Sequence, residues 1–511
     1  MMKNISRRSP WWIGLALLVA ICIGAVVASG GWLSPVARAE VIRALKQRYQ
    51  SDIEIQSLNV SLFPYPHAAG VGLVFRKNGR RDIPPLITIR SFTADTGWLD
   101  LLATPRRVRS VRLDGLEIRV SREEKKPEPP NRRVSTQPPP RFMIEEIAAD
   151  GTLLQILPKV PGKQPLNFDI YKLKLHSVSG RHAMTYRAQL RNAKPPGAIE
   201  ATGDFGPWEA DDPGETPVTG KYRFLNADLG VFKGLSGKLS STGDFYGRLE
   251  KIEVNGQTDT PDFTVAAGGH PVDLKTTFSA TVDGENGDTL LHPVTAHFGR
   301  TTLVCQGAIT GTPGISGKTV SLDSQVQNGD LADVLRLGVK SDPPPMTGRI
   351  GFHSQIRIPP GELDIAEKLY LNGQFDIDSG KFSSATLERR VSTFSARAQG
   401  DTRSDGTVAR ASNMHGTFVL DDGVITLHGL TFQLPGAAIR LNGTYGLLTE
   451  ALDFHGTVTM DAKLSQMTTG IKSVLLRALD PLFETKKKGA VIPIHIGGTR
   501  RSPSVGLEFK R

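Results

Sequence analysis

The sequence predicts a mainly β protein preceded by one N-terminal hydrophobic helix. Three observations lead there. Residues 11–33 run without a charged side chain. From Ile53 onward apolar residues recur at every second position, the period of a half-buried strand. The 511 residues include 53 Gly and 34 Pro with only 7% aromatics, a composition that suits many strands and tight turns.

The hydrophobic segment comes first. As a helix, residues 11–33 would measure roughly 34 Å, enough for a hydrocarbon core of about 30 Å. Trp11, Trp12 and Trp32 stand at its ends, where indoles favour the headgroup region, and Leu15, Leu17, Leu18 and Val26 lie within it. Lys3, Arg7 and Arg8 precede it and favour a cytoplasmic N-terminus, although Arg38, Arg43, Lys46 and Arg48 follow it, so the body is expected on the far side of a membrane crossed once. A cleaved signal peptide competes, since Ala37-Arg38-Ala39 resembles a cleavage site. The apolar stretch exceeds a usual signal core, however, and Ser34-Pro35 resembles the cap of an amphipathic helix running to Tyr49.

The body follows in four parts: 34–122, 123–141, 142–410 and 411–511. In the first, Ile53 and Ile55 are followed by Leu58, Val60 and Leu62, an alternation with one change of phase. Residues 98–102 predict a short helical turn, and two short strands are expected about Asp114-Gly115. Residues 123–141 are rich in Pro and charge and read as an extended spacer. Beyond Phe142 a small signature recurs, a polar residue, Gly, any residue, then an aromatic or β-branched one. It stands at Gly203/Phe205, Gly243/Phe245, Gly373/Phe375, Gly416/Phe418 and Gly443/Tyr445. Glycine inside strands marks bulges and bends, which predicts a strongly curved sheet. Residues 331–339 predict a short helix. In 414–445, Phe418 and Leu420 lead into an Asp422-Gly423 hairpin, followed by Ile425, Leu427, Phe432, Ile439 and Leu441 on one apolar face. Leu464, Met467, Ile471 and Leu475 trace the stripe of an amphipathic C-terminal helix, which caps the sheet or lies on a membrane surface.

Chemistry is harder to find. The two cysteines, Cys22 and Cys305, cannot plausibly pair, and the 11 histidines, among them His67, His176, His182, His270 and His297, show no zinc-protease spacing. No metal ligand, catalytic residue or cofactor is nominated, so the sequence predicts a non-enzyme; an envelope hydrolase would need a polar pocket that the sequence does not advertise. Residues 311–319 imitate a phosphate loop, but Thr312 occupies the first glycine position and alternation follows instead of a helix, which argues against nucleotide. The net charge of +11 favours an anionic neighbour. The basic spacer lacks the interleaved aromatics of a nucleic-acid binder.

The two ends of the chain resemble the AsmA-like family of bacterial envelope proteins. The resemblance rests on Val60-Ser61-Leu62-Phe63-Pro64, on Trp98-Leu99-Asp100-Leu101-Leu102 with Val111-Arg112-Leu113-Asp114-Gly115, and on 416–445 with 464–483. It ends in Ile492-Pro493-Ile494-His495-Ile496-Gly497-Gly498-Thr499 and Pro503. It implies an inner-membrane anchor and an elongated, curved antiparallel β-sheet, a groove or half-pipe, in the periplasm. It also implies a role in outer-membrane biogenesis, with membrane phospholipid as ligand and other envelope proteins as partners. A structural or assembly factor affecting outer-membrane protein targeting is the alternative. About 30 strands at ~4.8 Å would extend such a sheet to ~145 Å at most.

Overall fold

The computed structural model describes residues 52–61, 63–76, 84–103, 106–120, 142–158, 161–179, 182–207, 209, 213–401, 411–467, 489–500 and 502–507. The residues proposed for the anchor (Trp11, Trp12, Leu15, Leu17, Leu18, Val26 and Trp32), and the whole of the spacer 123–141, lie outside them. Among the described residues no helix is long and apolar enough to cross a membrane.

The described chain is one curled half-barrel sheet of 24 strands. It begins with β1 (Asp52–Ser61), β2 (His67–Arg76), β3 (Ile87–Asp95), β4 (Arg106–Val120), β5 (Phe142–Ile156), β6 (Leu166–Val178), β7 (Met184–Asn192) and β8 (Gly197–Phe205). It continues with β9 (Pro217–Asp228), the two-residue β10 (Leu235–Ser236), β11 (Lys238–Arg248), β12 (Lys251–Val265), β13 (Val272–Val282), β14 (Thr289–Phe298), β15 (Thr301–Gly311) and β16 (Lys318–Asp330). The last third comprises β17 (Met346–Ile358), β18 (Tyr370–Phe382), β19 (Ser412–Asp421), β20 (Val424–Leu434), β21 (Ala437–Gly446), β22 (Ala451–Met460), β23 (Ala490–Thr499) and β24 (Ser502–Leu507). Each strand pairs with its successor in the chain, save that β9 pairs with β11, and β10 lies against β12. Strands at ~4.8 Å spacing give roughly 105 Å along the ribbon, shorter than the sequence-based bound.

The antiparallel expectation fails at one place: β4 and β5 run parallel. A parallel pair requires the chain to return along the full strand before re-entering the sheet. Fifteen residues of strand span about 50 Å, and the segment 121–141 reaches about 70 Å when extended, enough for that return. The two short strands expected about Asp114-Gly115 are one strand, because Gly115 (φ 63°) bends the chain without reversing it.

That bend belongs to a line. Gly72, Gly115 and Gly151, with φ of 67°, 63° and 65°, lie at one lateral level of β2, β4 and β5. At this level the buried side chains change parity in five successive strands: Ile55 to Leu58, Gly70 to Leu73, Ile89 to Phe92, Leu113 to Leu116 and Ala149 to Thr152. Every strand carries the extra residue, so the pairing register is unbroken. The phase change visible in β1 is thus the edge of a fault line through the sheet.

Among the described residues four helices interrupt the strands: α1 (Trp98–Leu102), α2 (Leu331–Gly338), α3 (Ile365–Lys368) and α4 (Ala385–Ala398). The sequence predicts α1 and α2 and misses α3 and α4. Asp330 and Asp364 cap α2 and α3 by accepting from the amides of Ala332 and Ala366, both at 2.8 Å. Of the predicted C-terminal helix, Leu464–Met467 is a short 3-10 turn, and Ile471 and Leu475 lie outside the described residues.

The ribbon also coils. The loop after β5 belongs to one rim and the loops after β13 and β15 to the other, yet they touch. Leu166 N donates to Glu285 O at 2.8 Å and Gly314 N to Gly162 O at 3.0 Å. Lys163 and Lys318 both bond Asp288, which also accepts from Gly311 N at 2.8 Å. A second seam joins the loop after β9 to the one after β17, through Ile365 N to Lys233 O at 2.9 Å. One rim of β5–β9 therefore meets the opposite rim of β13–β17, as in a helical gutter. Burial opposes the charge of Asp288, but its bonds to Lys163, Gly311 and Lys318 outweigh that and hold the carboxyl below its ordinary 3.8. Such a group stabilises the fold above its ordinary pKa, and that contribution is lost as pH falls through the lower, folded value. Asp288→Ala is expected to cost about 1–3 kcal/mol in denaturant unfolding and to speed amide exchange at residues 161–166, 283–288 and 313–316. Exchange unchanged in all three loops would refute the seam.

Candidate functional site

The candidate site is the inner face of the sheet, built strand by strand from the pairing. Starting at β1, the cross-strand partners Val60, Ala68, Ala94, Val111, Ile147, Leu175, Tyr186, Gly203 and Gly220 follow one another. The same row passes to Phe245, Val254, Ala280, Leu291, Gly307, Leu322, Ile356 and Leu371. It continues through Leu420, Ile425, Tyr445 and Leu452 to Gly498. No residue of this row is charged. A parallel row runs from Cys305 through Ser324, Ser354, Gly373, Phe418, Leu427, Gly443 and Phe454 to Ile496, with small hydroxyls as its only polar side chains. The opposite face takes the charges: Glu253, Asp323 and Arg357 each adjoin a member of the first row along the chain.

Burial varies along the row. At the N-terminal end Ala68, Ala94, Val111 and Ile147 lie in a closed core of side chains from β1–β7. Through the middle, Phe245, Val254, Leu291, Leu322, Ile356 and Leu371 are only half-buried, so the apolar lining meets solvent. At the C-terminal end a second core forms, where Val334 and Leu335 of α2 and Val391 and Phe394 of α4 pack over the sheet. Of the residues singled out from sequence, Leu420, Ile439 and Leu441 are buried, and Phe418, Ile425, Leu427 and Phe432 are half-buried. The side chains of Leu464 and Met467 are outside the description.

The recurring Gly-x-aromatic signature has a steric cause: a Cβ at Gly243, Gly416 or Gly443 would meet a ring, and one at Gly203 or Gly373 the backbone of the neighbouring strand. Both of its marked residues face inward, and rings lie over glycines of neighbouring strands. A Cβ on Gly220 would stand 2.6 Å from Tyr186 Oη and 2.8 Å from Phe245 Cζ. One on Gly256 would stand 2.6 Å from Tyr222 Oη and 2.9 Å from Phe278 Cζ. Glycine removes the side chain that would prop the ring away from the sheet, so the aromatics can settle against it. The hydroxyls are not left bare: Tyr186 donates to Thr219 O at 3.3 Å, and Tyr222 shares a 3.0 Å bond with Ser241 Oγ. Burial raises the pKa of both phenols, so they remain neutral donors at physiological pH. Cys305 is half-buried on this face, and burial likewise pushes its thiol up, which disfavours the reactive thiolate.

The segment 311–319 is the turn between β15 and β16 and leads into a strand. Residues that sequence reasoning passed over are Asp453, His455 and His495, which the β22–β23 pairing brings together on the outer face. The Asp-x-His spacing, which puts both on one strand face, was the available signal. The inner face thus offers a continuous apolar lining with scattered hydroxyls, a chemistry for holding hydrocarbon.

No family model, no curated protein and no solved structure matches the chain.

Gly256→Val is expected to destabilise the protein by about 1–3 kcal/mol in denaturant unfolding, through ring displacement. Gln257→Val on the outer face should cost less than half as much. Equal losses would contradict the ring-over-glycine account.

Proposed function

We propose that this is a membrane-anchored periplasmic protein whose β-groove binds phospholipid, or helps transfer it, in building the cell envelope and outer membrane. The observation that carries the reading is the uncharged row of inner-face partners, half-open to solvent between its two closed ends. Two acyl chains of about fifteen methylenes each, at ~0.8 kcal/mol per methylene, cost roughly 24 kcal/mol to expose to water. A lipid therefore moves between membranes only along an unbroken apolar lining. The half-buried side chains of β11–β18 supply that lining, while the headgroup stays at the open mouth in water. The AsmA-like resemblance of the chain's ends, the uncharged segment 11–33 and the basic N-terminus support the same placement. No nucleotide, nucleic acid, cofactor or catalytic step enters the proposal.

A second reading is a structural or assembly factor affecting the targeting of outer-membrane proteins. It is favoured by the covered C-terminal core, where Leu420, Ile439 and Leu441 are buried. The two readings differ at the middle strands.

Photoreactive residues at Leu322 and Ile356 are expected to crosslink phospholipid in cells, and the purified protein to retain it in mass spectra. Leu322→Asp with Ile356→Asp should reduce retained lipid at least tenfold while the circular dichroism of the sheet persists. Crosslinks to protein alone at both positions would favour the assembly factor and overturn lipid handling.

A further inference from the structure

We propose that Asp453, His455 and His495 form a surface site for one divalent transition-metal ion of the zinc or copper type. His455 on β22 and His495 on β23 are direct cross-strand partners. Their rings stack with centroids 4.4 Å apart and planes 14° from parallel. Asp453 stands two residues before His455, on the same strand face. Its Oδ1 lies 3.1 Å from His455 Nε2 and 2.9 Å from His495 Nε2, and the three donor atoms all fall within 4.8 Å of one another.

These distances suit a metal. Ligand bonds of about 2.0–2.2 Å in tetrahedral array place donor atoms about 3.4 Å apart, so the carboxylate oxygen needs to part from each imidazole nitrogen by only a few tenths of an ångström, and the two nitrogens already lie within 4.8 Å of each other. Two imidazoles and one carboxylate are the donors that zinc, copper and nickel prefer, whereas magnesium and calcium take oxygen sets. Three protein ligands leave at least one position for water or an exchangeable ligand. Space for the ion exists. A Cβ on Gly497 would lie 3.1 Å from His495 Cε1, so glycine there gives the ring its room. Gly506, opposite His495 on β24, has no atom within 4 Å of where its Cβ would stand. The cluster also differs from the other imidazole–carboxylate pairs of this face. His67–Asp95 and His353–Asp323 each bring one imidazole to one carboxylate, an ordinary surface pair. Here one carboxylate oxygen faces two imidazole nitrogens, and a cation bound among them would take the place of the protons those nitrogens direct at the carboxylate.

The site lies on the polar outer face and is independent of the groove. Its metal would staple β22 to β23 beside the end of the sheet. The test uses the full chain in detergent, titrated with zinc chloride or copper chloride by calorimetry, with a Cu(II) electron paramagnetic resonance spectrum at one equivalent. One ion per chain is expected, with a spectrum showing two coupled imidazole nitrogens. Affinity should fall at least tenfold in His455→Ala and in His495→Ala, and less in Asp453→Asn. Metal should raise the melting temperature of the wild type and leave both alanine variants unmoved. Unchanged affinity in both alanine variants, or a wild-type spectrum without two nitrogen ligands, overturns the proposal; the spectrum decides even where a variant fails to fold.

Discussion

The rest of the structure depends on the pairing register of the sheet. Backbone hydrogen bonds decide which side chains stand side by side, and period-two alternation decides which face they share. A slip of one residue at any strand would exchange the faces. At β12 it would bring Glu253 inward in place of Val254, at β16 Asp323 in place of Leu322, and at β17 Arg357 in place of Ile356. Placing such a charge on the apolar face costs several kcal/mol. The alternating polarity of each strand therefore selects the register, and the register in turn assembles an uncharged lateral row that no single strand contains.

Curvature follows from the same face. Where rings lie across glycines, the inner surface takes up less room than the outer one, and the sheet bends toward it. The fault line through Gly72, Gly115 and Gly151 adds a bend without disturbing the ladder, because all five strands it crosses carry the extra residue. The seams hold the coil. Asp288, between Lys163 and Lys318, fastens loops from opposite rims that are more than a hundred residues apart in the chain. Coiling brings the two rims together while leaving the middle of the inner face half-exposed. The result is an apolar lining that is neither filled nor flat.

Much of this was legible in the sequence, for a local reason. Alternation, hairpin turns such as Asp422-Gly423, the helix at 331–339 and the phase change between Ile55 and Leu58 are short-range signals. Asp422 and Gly423 have φ of 47° and 72°, as a tight hairpin between β19 and β20 requires. The Gly-x-aromatic signature was visible, but its meaning was not, since the ring that covers a glycine comes from another strand. The parallel β4–β5 pair was hidden because the Pro-rich spacer shows only that the chain is extended, not where it returns. α4 escaped notice because Val391, Ser392 and Thr393 interrupt its helical character, and its apolar side finds a partner only in the C-terminal core. Asp453, His455 and His495 escaped because forty positions separate the two histidines in the chain. The proposed groove residues share one face of the sheet; which of them stay open to solvent depends on what packs over that face.

The central claim is that the inner row is continuous and accessible to hydrocarbon through the middle strands. Spin labels placed singly at Val254, Leu322, Ile356 and Leu371, with Gln257 and Gln355 as outer-face controls, test it through collision rates with oxygen and with a water-soluble nickel chelate. In protein carrying phospholipid, the account predicts that the four inner labels are exposed to oxygen and shielded from the chelate, with the reverse at both controls. Inner labels that resist both reagents would mean a solid core, and inner labels open to the chelate would mean a wet face; either result would contradict the account.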